Sequence, residues 1–151
     1  MPFRHRSRHI DANVPISAAG RQHPLKGPCQ ELVRIVAASP QAFTTDAEVL
    51  QELLHYYRAA ANWAQGQVVF RAFATLTAGR IAPVPDTDVA QAATMADTYP
   101  RLSARDLLHV AVMQRLGATH IASADRDFDG VAGIRRLDPA QLATWRGRIG
   151  L

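Results

Sequence analysis

Short apolar runs alternate with longer helical periods along this chain, a rhythm that fits a parallel sheet covered by helices on both faces. The strand candidates are His9 to Val14, Ala42 to Thr44, Arg80 to Val84, Thr119 to Ser123 and Ile134 to Leu137. Between them lie the helices. One is built on Leu32, Ile35 and Val36, behind Pro24 and Pro28, and stops at Ser39-Pro40. The clearest carries Val49, Leu50, Leu53, Leu54 and Tyr57 at helical spacing. Others run from about Trp63 to Ala78, from Asp86 or Thr87 through Asp97, and from Ser103 to Leu116, with Gly117 as the stop. A terminal helix follows Pro139. The reading is α/β: a three-layer α/β/α sandwich with a short, mostly parallel central sheet. Ligands of such sheets sit outside the carboxyl ends of the strands, where Asp11 and Asp125 are both expected.

At 151 residues and 48% hydrophobic, the chain suffices for the core of one domain. No apolar run approaches the roughly eighteen residues of a membrane span, and MPFRHRSRH lacks the apolar stretch of a secretory signal, so a cytoplasmic location is expected. Cys29 is the single cysteine, which excludes an internal disulfide and a Cys-based zinc ribbon. Of the formal charge of +4, much comes from Arg4, Arg6 and Arg8, with no acid near them. Residues 1–7 therefore read as a basic tail ahead of a domain spanning 8–151, whose first strand is short or poor. Arg135, Arg136, Arg146 and Arg148 cluster near the other end, and Asp125, Asp127 and Asp129 crowd one loop. Basic surroundings with concentrated acids suit a polyanion held beside a cation.

The carboxylates differ in what they can do. Thr45 and Glu48 have the spacing of a capping box, which makes Glu48 a capping partner. Glu52 lies on the flank of the same helix, where it can reach the rim of a cleft. The helix after Ser103 is apolar nearly all round, so Asp106 is a carboxylate on a buried element and needs compensation. The spacing of Ser103 and Asp106 is itself that of a cap. In ASADRDFDG, Asp125 stands closest to the strand end. A calcium loop counted from Asp125 would require Glu at its twelfth position, which is Arg136, so Asp127 and Asp129 read first as acidic turn residues. Phosphate-loop, dinucleotide, nucleophile-elbow and zinc-helix motifs are all missing from the sequence. His55 and His109 follow Glu52 and Asp106 by one helical turn and read as packing or supporting residues. Trp63 and Trp145 lack the aromatic companions of a base-stacking surface and read as core or cover.

Taken in order, an aspartate in IDANVPIS, a glutamate in TDAEVLQELLH, an aspartate in LSARDLLHVAV and an aspartate in ASADRDFDGV resemble the four acidic motifs of PIN-domain ribonucleases, closest to the VapC toxins of bacterial toxin–antitoxin pairs. The resemblance runs from about Ile10 to Pro139. It departs at the front, where RHRSRHIDAN replaces the usual apolar strand. It implies a PIN-like sandwich with Asp11, Glu52, Asp106 and Asp125 as catalytic and metal-binding acids, Asp127 as an auxiliary, and Ser123 and Asn13 in support. It also implies Mg²⁺ or Mn²⁺ as cofactor, RNA as substrate, products with a 5′-phosphate and a 3′-hydroxyl, a VapB-like antitoxin as partner, and a homodimer. Arg101, Arg105 and Arg126 are the expected phosphate-positioning residues.

Carboxylates that repel one another are stable together mainly around divalent cations, and an oxygen-only donor set favours Mg²⁺ or Mn²⁺ over zinc. The rival from another class is a catalytically silent PIN-like module that binds RNA or protein without metal. An aspartyl phosphatase on a similar sheet expects a second acid two residues after the first, where this chain has Asn13.

Overall fold

The computed structural model describes residues 7–151. At its centre is a sheet in the order β3-β2-β1-β4-β5, with every neighbouring pair parallel. The strands are β1 (Arg8–Ile10), β2 (Phe43–Asp46), β3 (Ile81–Ala82), β4 (His120–Ala122) and β5 (Arg135–Leu137). β1 is central, with His9 opposite Thr44 on one side and Ile121 on the other. The chain winds outward from β1 through β2 to β3, then returns to place β4 on the other flank of β1. A crevice therefore opens between the carboxyl ends of β1 and β4, where the strand order reverses.

Side-chain alternation splits the core in two. Ile10, Phe43, Ala122 and Leu137 pack with α1 (Asn13–Ala19), α2 (Lys26–Ala38), α3 (Ala47–Ala59), α4 (Trp63–Leu76) and α7 (Leu142–Trp145). Ile121 faces the opposite layer, α5 (Asp86–Met95) and α6 (Ala104–Leu116), with Val110, Met113 and Phe128. This is the expected three-layer sandwich. The α3 and α4 helices approach closely at Gly66, where a Cβ would run into the Tyr57 side chain. Trp145 is buried and its indole donates to the Asp138 carbonyl at 2.7 Å, while Trp63 packs edge-on against Phe70; both serve the core. Among the described residues, no helix is long and apolar enough to cross a membrane. Of the expected basic tail, residues 1–6 lie outside the described residues and Ser7 is buried.

Two local expectations are corrected. The first strand ends at Ile10, not Val14, and Asn13–Ala19 is a helix. Pro15 falls within its first turn, where a missing N–H costs no hydrogen bond. The α3 helix is capped by Asp46, whose carboxylate accepts from the Val49 N–H at 2.9 Å; Thr45 is not the cap. β2 runs farther than its apolar residues suggest, and Thr45 is fully buried with its hydroxyl donating to the Ile10 carbonyl at 2.9 Å. Glu48 is thereby released from capping. The cap on α6 matches the reading: Ser103 and Asp106 form a reciprocal box, and Gly117 closes the helix at φ 71°.

Candidate active site

The crevice is a cleft of about 920 Å³ at the carboxyl edge of the sheet. Asp11, Glu52, Asp106 and Asp125 all line it, although each comes from a different stretch of sequence. Asp11 leaves the end of β1 and is almost fully buried. Asp125 follows β4 and starts a 3-10 turn at Arg126–Gly130, accepting from the Asp127 N–H at 2.9 Å. Glu52 enters from α3, and Asp106 from the first turn of α6. Asp11 and Glu52 come within 4.8 Å of each other at their ligand atoms, together with His109.

Asp11 is held by a compact network. Ser123 donates its hydroxyl to Asp11 Oδ2 at 2.6 Å, and Asn13 Nδ2 donates to the same oxygen at 3.1 Å. Asn13 also donates to Ser123 Oγ at 2.9 Å and accepts from the Ala124 N–H, while Ser123 Oγ accepts from the Asp125 N–H. One hydroxyl and one amide thus tie the end of β1 to the loop after β4 and fix where two of the acids stand.

Burial is the main influence on Asp11 and Asp106. It pushes the Asp11 carboxyl up, opposed by His109 and Ser123 and reinforced by Glu52. Asp106 is pushed up to about 6, chiefly by burial and then by Asp11, with Ser103 and His109 opposing and Asp125 adding. Both Asp11 and Asp106 are raised even though His109 opposes the rise.

Not every expected residue reaches the cleft. Arg105 lines it and stands 3.7 Å from Glu48, whose carboxyl is raised mainly by burial and lowered in part by His109 and Arg105. Asp127 and Arg101 line a separate cavity of about 200 Å³ beside Tyr99, and Arg126 is exposed and lines neither. The 3-10 turn that starts at Asp125 carries the following residues away from the cleft. Asp129 is outside too, in a two-point ion pair with Arg136 at 2.8 and 3.1 Å.

Sequence reasoning missed Asp46 and His9 and read His109 only as a packing or supporting residue. Directly beneath the cleft, Asp46 is fully buried, with its Oδ2 2.8 Å from His109 Nδ1 and 3.1 Å from His9 Nε2. Burial alone would raise the Asp46 carboxyl, but the two imidazoles outweigh it and hold it well below the usual carboxylate range. Burial alone would lower His109, but Asp46, then Glu52 and Asp11, hold it well above the usual imidazole range. The signal was a histidine on a helix apolar nearly all round, where a polar group requires a partner.

The donor chemistry fits a divalent cation: Asp11 and Glu52 bring oxygens to ligand spacing with His109 beside them, and Asp106 and Asp125 line the same open cleft, which has room for retained waters. Comparisons agree on ancestry. The family model described as PIN domain matches residues 9–134. The chain is 38% identical over 128 residues to VapC ribonuclease Mb1869c of Mycobacterium bovis, an alignment covering 85% of this chain and 97% of that protein. It is also 38% identical over 116 residues to ribonuclease VapC23 of Mycobacterium tuberculosis, covering 77% and 90%. Among solved structures, the one titled as the crystal structure of FitAcB from Neisseria gonorrhoeae superposes with a TM-score of 0.66 at 19% identity, covering 87% of this chain and 96% of that one, which is a likeness of fold. With its sheet order, its cleft of four acids and these relatives, the chain belongs to the PIN domain family, as a VapC-type member.

Proposed function

We propose that this protein is a metal-dependent endoribonuclease, the toxin of a VapBC-type pair, hydrolysing RNA phosphodiesters with Mg²⁺ or Mn²⁺. The observation that carries the reading is the gathering of Asp11, Glu52, Asp106 and Asp125 around one cleft, with Asp11 and Asp106 both raised by burial and by acidic neighbours. Relatives sharing most of the chain are named ribonucleases. The four acids would hold the cation, which when bound lowers the pKa of water and neutralises charge developing at the phosphorus.

This chain's own residues do the rest. Ser123 and Asn13 fix the direction of Asp11, so that the acid does not have to be ordered when the cation arrives. Asp106 is fixed by Ser103 at the helix N-terminus. Arg105, on the rim with its guanidinium loosely paired to Glu48, is placed to exchange that contact for a substrate phosphate. Arg101, Arg126 and Asp127 stand outside the cleft and have at most a role along a longer RNA path. On this reading the protein works in the cytoplasm, where buried Cys29 stays reduced, as a homodimer silenced by a small VapB-like antitoxin.

The test is cleavage of RNA by purified protein with Mg²⁺ or Mn²⁺ and none with EDTA. Asp106→Asn is expected to abolish it while keeping the fold; cleavage by that variant at the wild-type rate would overturn the assignment. A silent RNA- or protein-binding module would instead show no cation binding dependent on Asp11 and Asp125.

A further inference from the structure

We propose that His109 supplies a nitrogen ligand to the cation of this cleft, so that the site prefers first-row transition ions such as Mn²⁺ over Mg²⁺. The inference rests on the metal-dependent reading above and adds a residue to it.

Three observations on one ring carry it. First, His109 is fully buried behind the cleft lining, within 4.8 Å of ligand atoms of Asp11 and Glu52, and its two nitrogens face different partners. Nδ1 lies 2.8 Å from Asp46 Oδ2, a group that only accepts. Asp46 therefore keeps the proton on Nδ1 and turns the other edge of the ring upward. Second, that edge presents Nε2 to Glu52 Oε1 at 3.4 Å and to Asp11 Oδ1 at 3.9 Å. Two carboxylates around Nε2 call for something positive between them, a proton in the ion-free protein or a cation that displaces it. The proton holds them loosely, since both contacts are longer than the roughly 2.7–2.9 Å of a tight charge-assisted bond. Two ligands on one ion at about 2.1 Å stand about 3.0–3.4 Å apart, close to the Nε2 to Glu52 spacing, with Asp11 a short movement away. When the ion takes the place of a proton on Nε2, that proton leaves to solvent.

Third, the arrangement has its supporting partner in place. A metal-binding histidine usually donates its other N–H to a carboxylate, which fixes the tautomer and makes the ligand nitrogen more basic. Asp46, 63 residues away in sequence, does this from the end of β2. Asp106 and His109 stand one turn apart on α6, so one helix sets an oxygen donor on the cleft wall and a nitrogen donor just behind it. Imidazole suits transition ions and binds Mg²⁺ poorly, hence the predicted preference.

The experiment uses the untagged full chain, stripped with EDTA and loaded with Mn²⁺, read by pulsed electron paramagnetic resonance for coupling to a directly bound nitrogen-14. The wild type is expected to show that coupling. His109→Gln is expected to lose it and to bind Mn²⁺ about 10- to 100-fold more weakly, with Mg²⁺ affinity changed far less. His9→Leu is expected to retain the coupling; its loss there would put the ion in the buried His9, Asp46 and His109 group beneath the cleft and overturn the proposal. Mn²⁺ bound to the wild type among oxygens alone would overturn it too, leaving the nuclease reading intact. No Mn²⁺ binding by the wild type would overturn both. The wild-type spectrum decides even if a variant fails to fold.

Discussion

Asp46 and Asp106 both feel the charge of His109, yet their chemistry is opposite. Asp46 is completely buried and is held well below the ordinary carboxylate range, because His9 and His109 outweigh the burial that would raise it. Asp106 is only half-buried, yet burial and its acidic neighbours push it up to about 6. Two imidazoles balance Asp46, whereas Asp106 stands among further acids, the arrangement expected of a group whose counter-charge a ligand would bring. Position at the end of a strand does not distinguish the two roles, since Asp46 and Asp11 both occupy such positions. The charge balance does.

That contrast can be broken at either end. The largest effect is expected from Asp106→Asn, which removes an uncompensated acid. RNA cleavage with Mn²⁺ should fall roughly a thousandfold, the several kcal/mol of Lewis-acid stabilisation converted at about 1.4 kcal/mol per tenfold. Gel assays at matched folded fraction check it. Asp46→Ala strikes the compensated side and leaves two buried imidazoles without their anion. It should cost about 3–5 kcal/mol in urea unfolding, the usual result of breaking a buried pair. Were Asp46→Ala to unfold like wild type, the structural role given to this acid would be wrong.

Two smaller effects sharpen the comparison. Ser123→Ala removes the 2.6 Å bond to Asp11 and should weaken Mn²⁺ binding by about tenfold in calorimetry while unfolding nearly normally. The last effect is on stability against pH without metal. The folded value of Asp106, about 6, lies above its ordinary 3.8, so its ionisation costs stability above about pH 6 and nothing below the unfolded value. In EDTA, Asp106→Asn should therefore be more stable than wild type at pH 7, by roughly 1–2 kcal/mol after discounting for partial exposure. The gap should close by pH 4, and saturating Mn²⁺ should reverse the order by stabilising the wild type.

Much of this was legible in the sequence. The alternation of apolar runs and helical periods implied the sandwich, and the Ser103 cap and Gly117 stop were read to the residue. The four acids could be set in order because each sits beside a strand end or on a helix with a definite apolar face. Tertiary geometry was less accessible. Thr45 with Glu48 matched a capping pattern, but the strand continues through Asp46 because Thr45 is buried and bonded to β1. The partnership of Asp46 with His109 joins residues 63 apart, so local spacing could only pair the histidine with Asp106. Asp127 was carried over as an auxiliary acid by the resemblance, whereas in the 3-10 turn it lines another cavity.

The central claim is that unbalanced acids from four separate stretches of chain make one cation site. Titration of EDTA-treated wild type with Mn²⁺ by calorimetry, alongside Asp11→Asn and Asp125→Asn, tests it most directly. The account predicts saturable binding in the wild type that both substitutions greatly weaken. Binding indifferent to both, or no binding by the folded wild type, would contradict it.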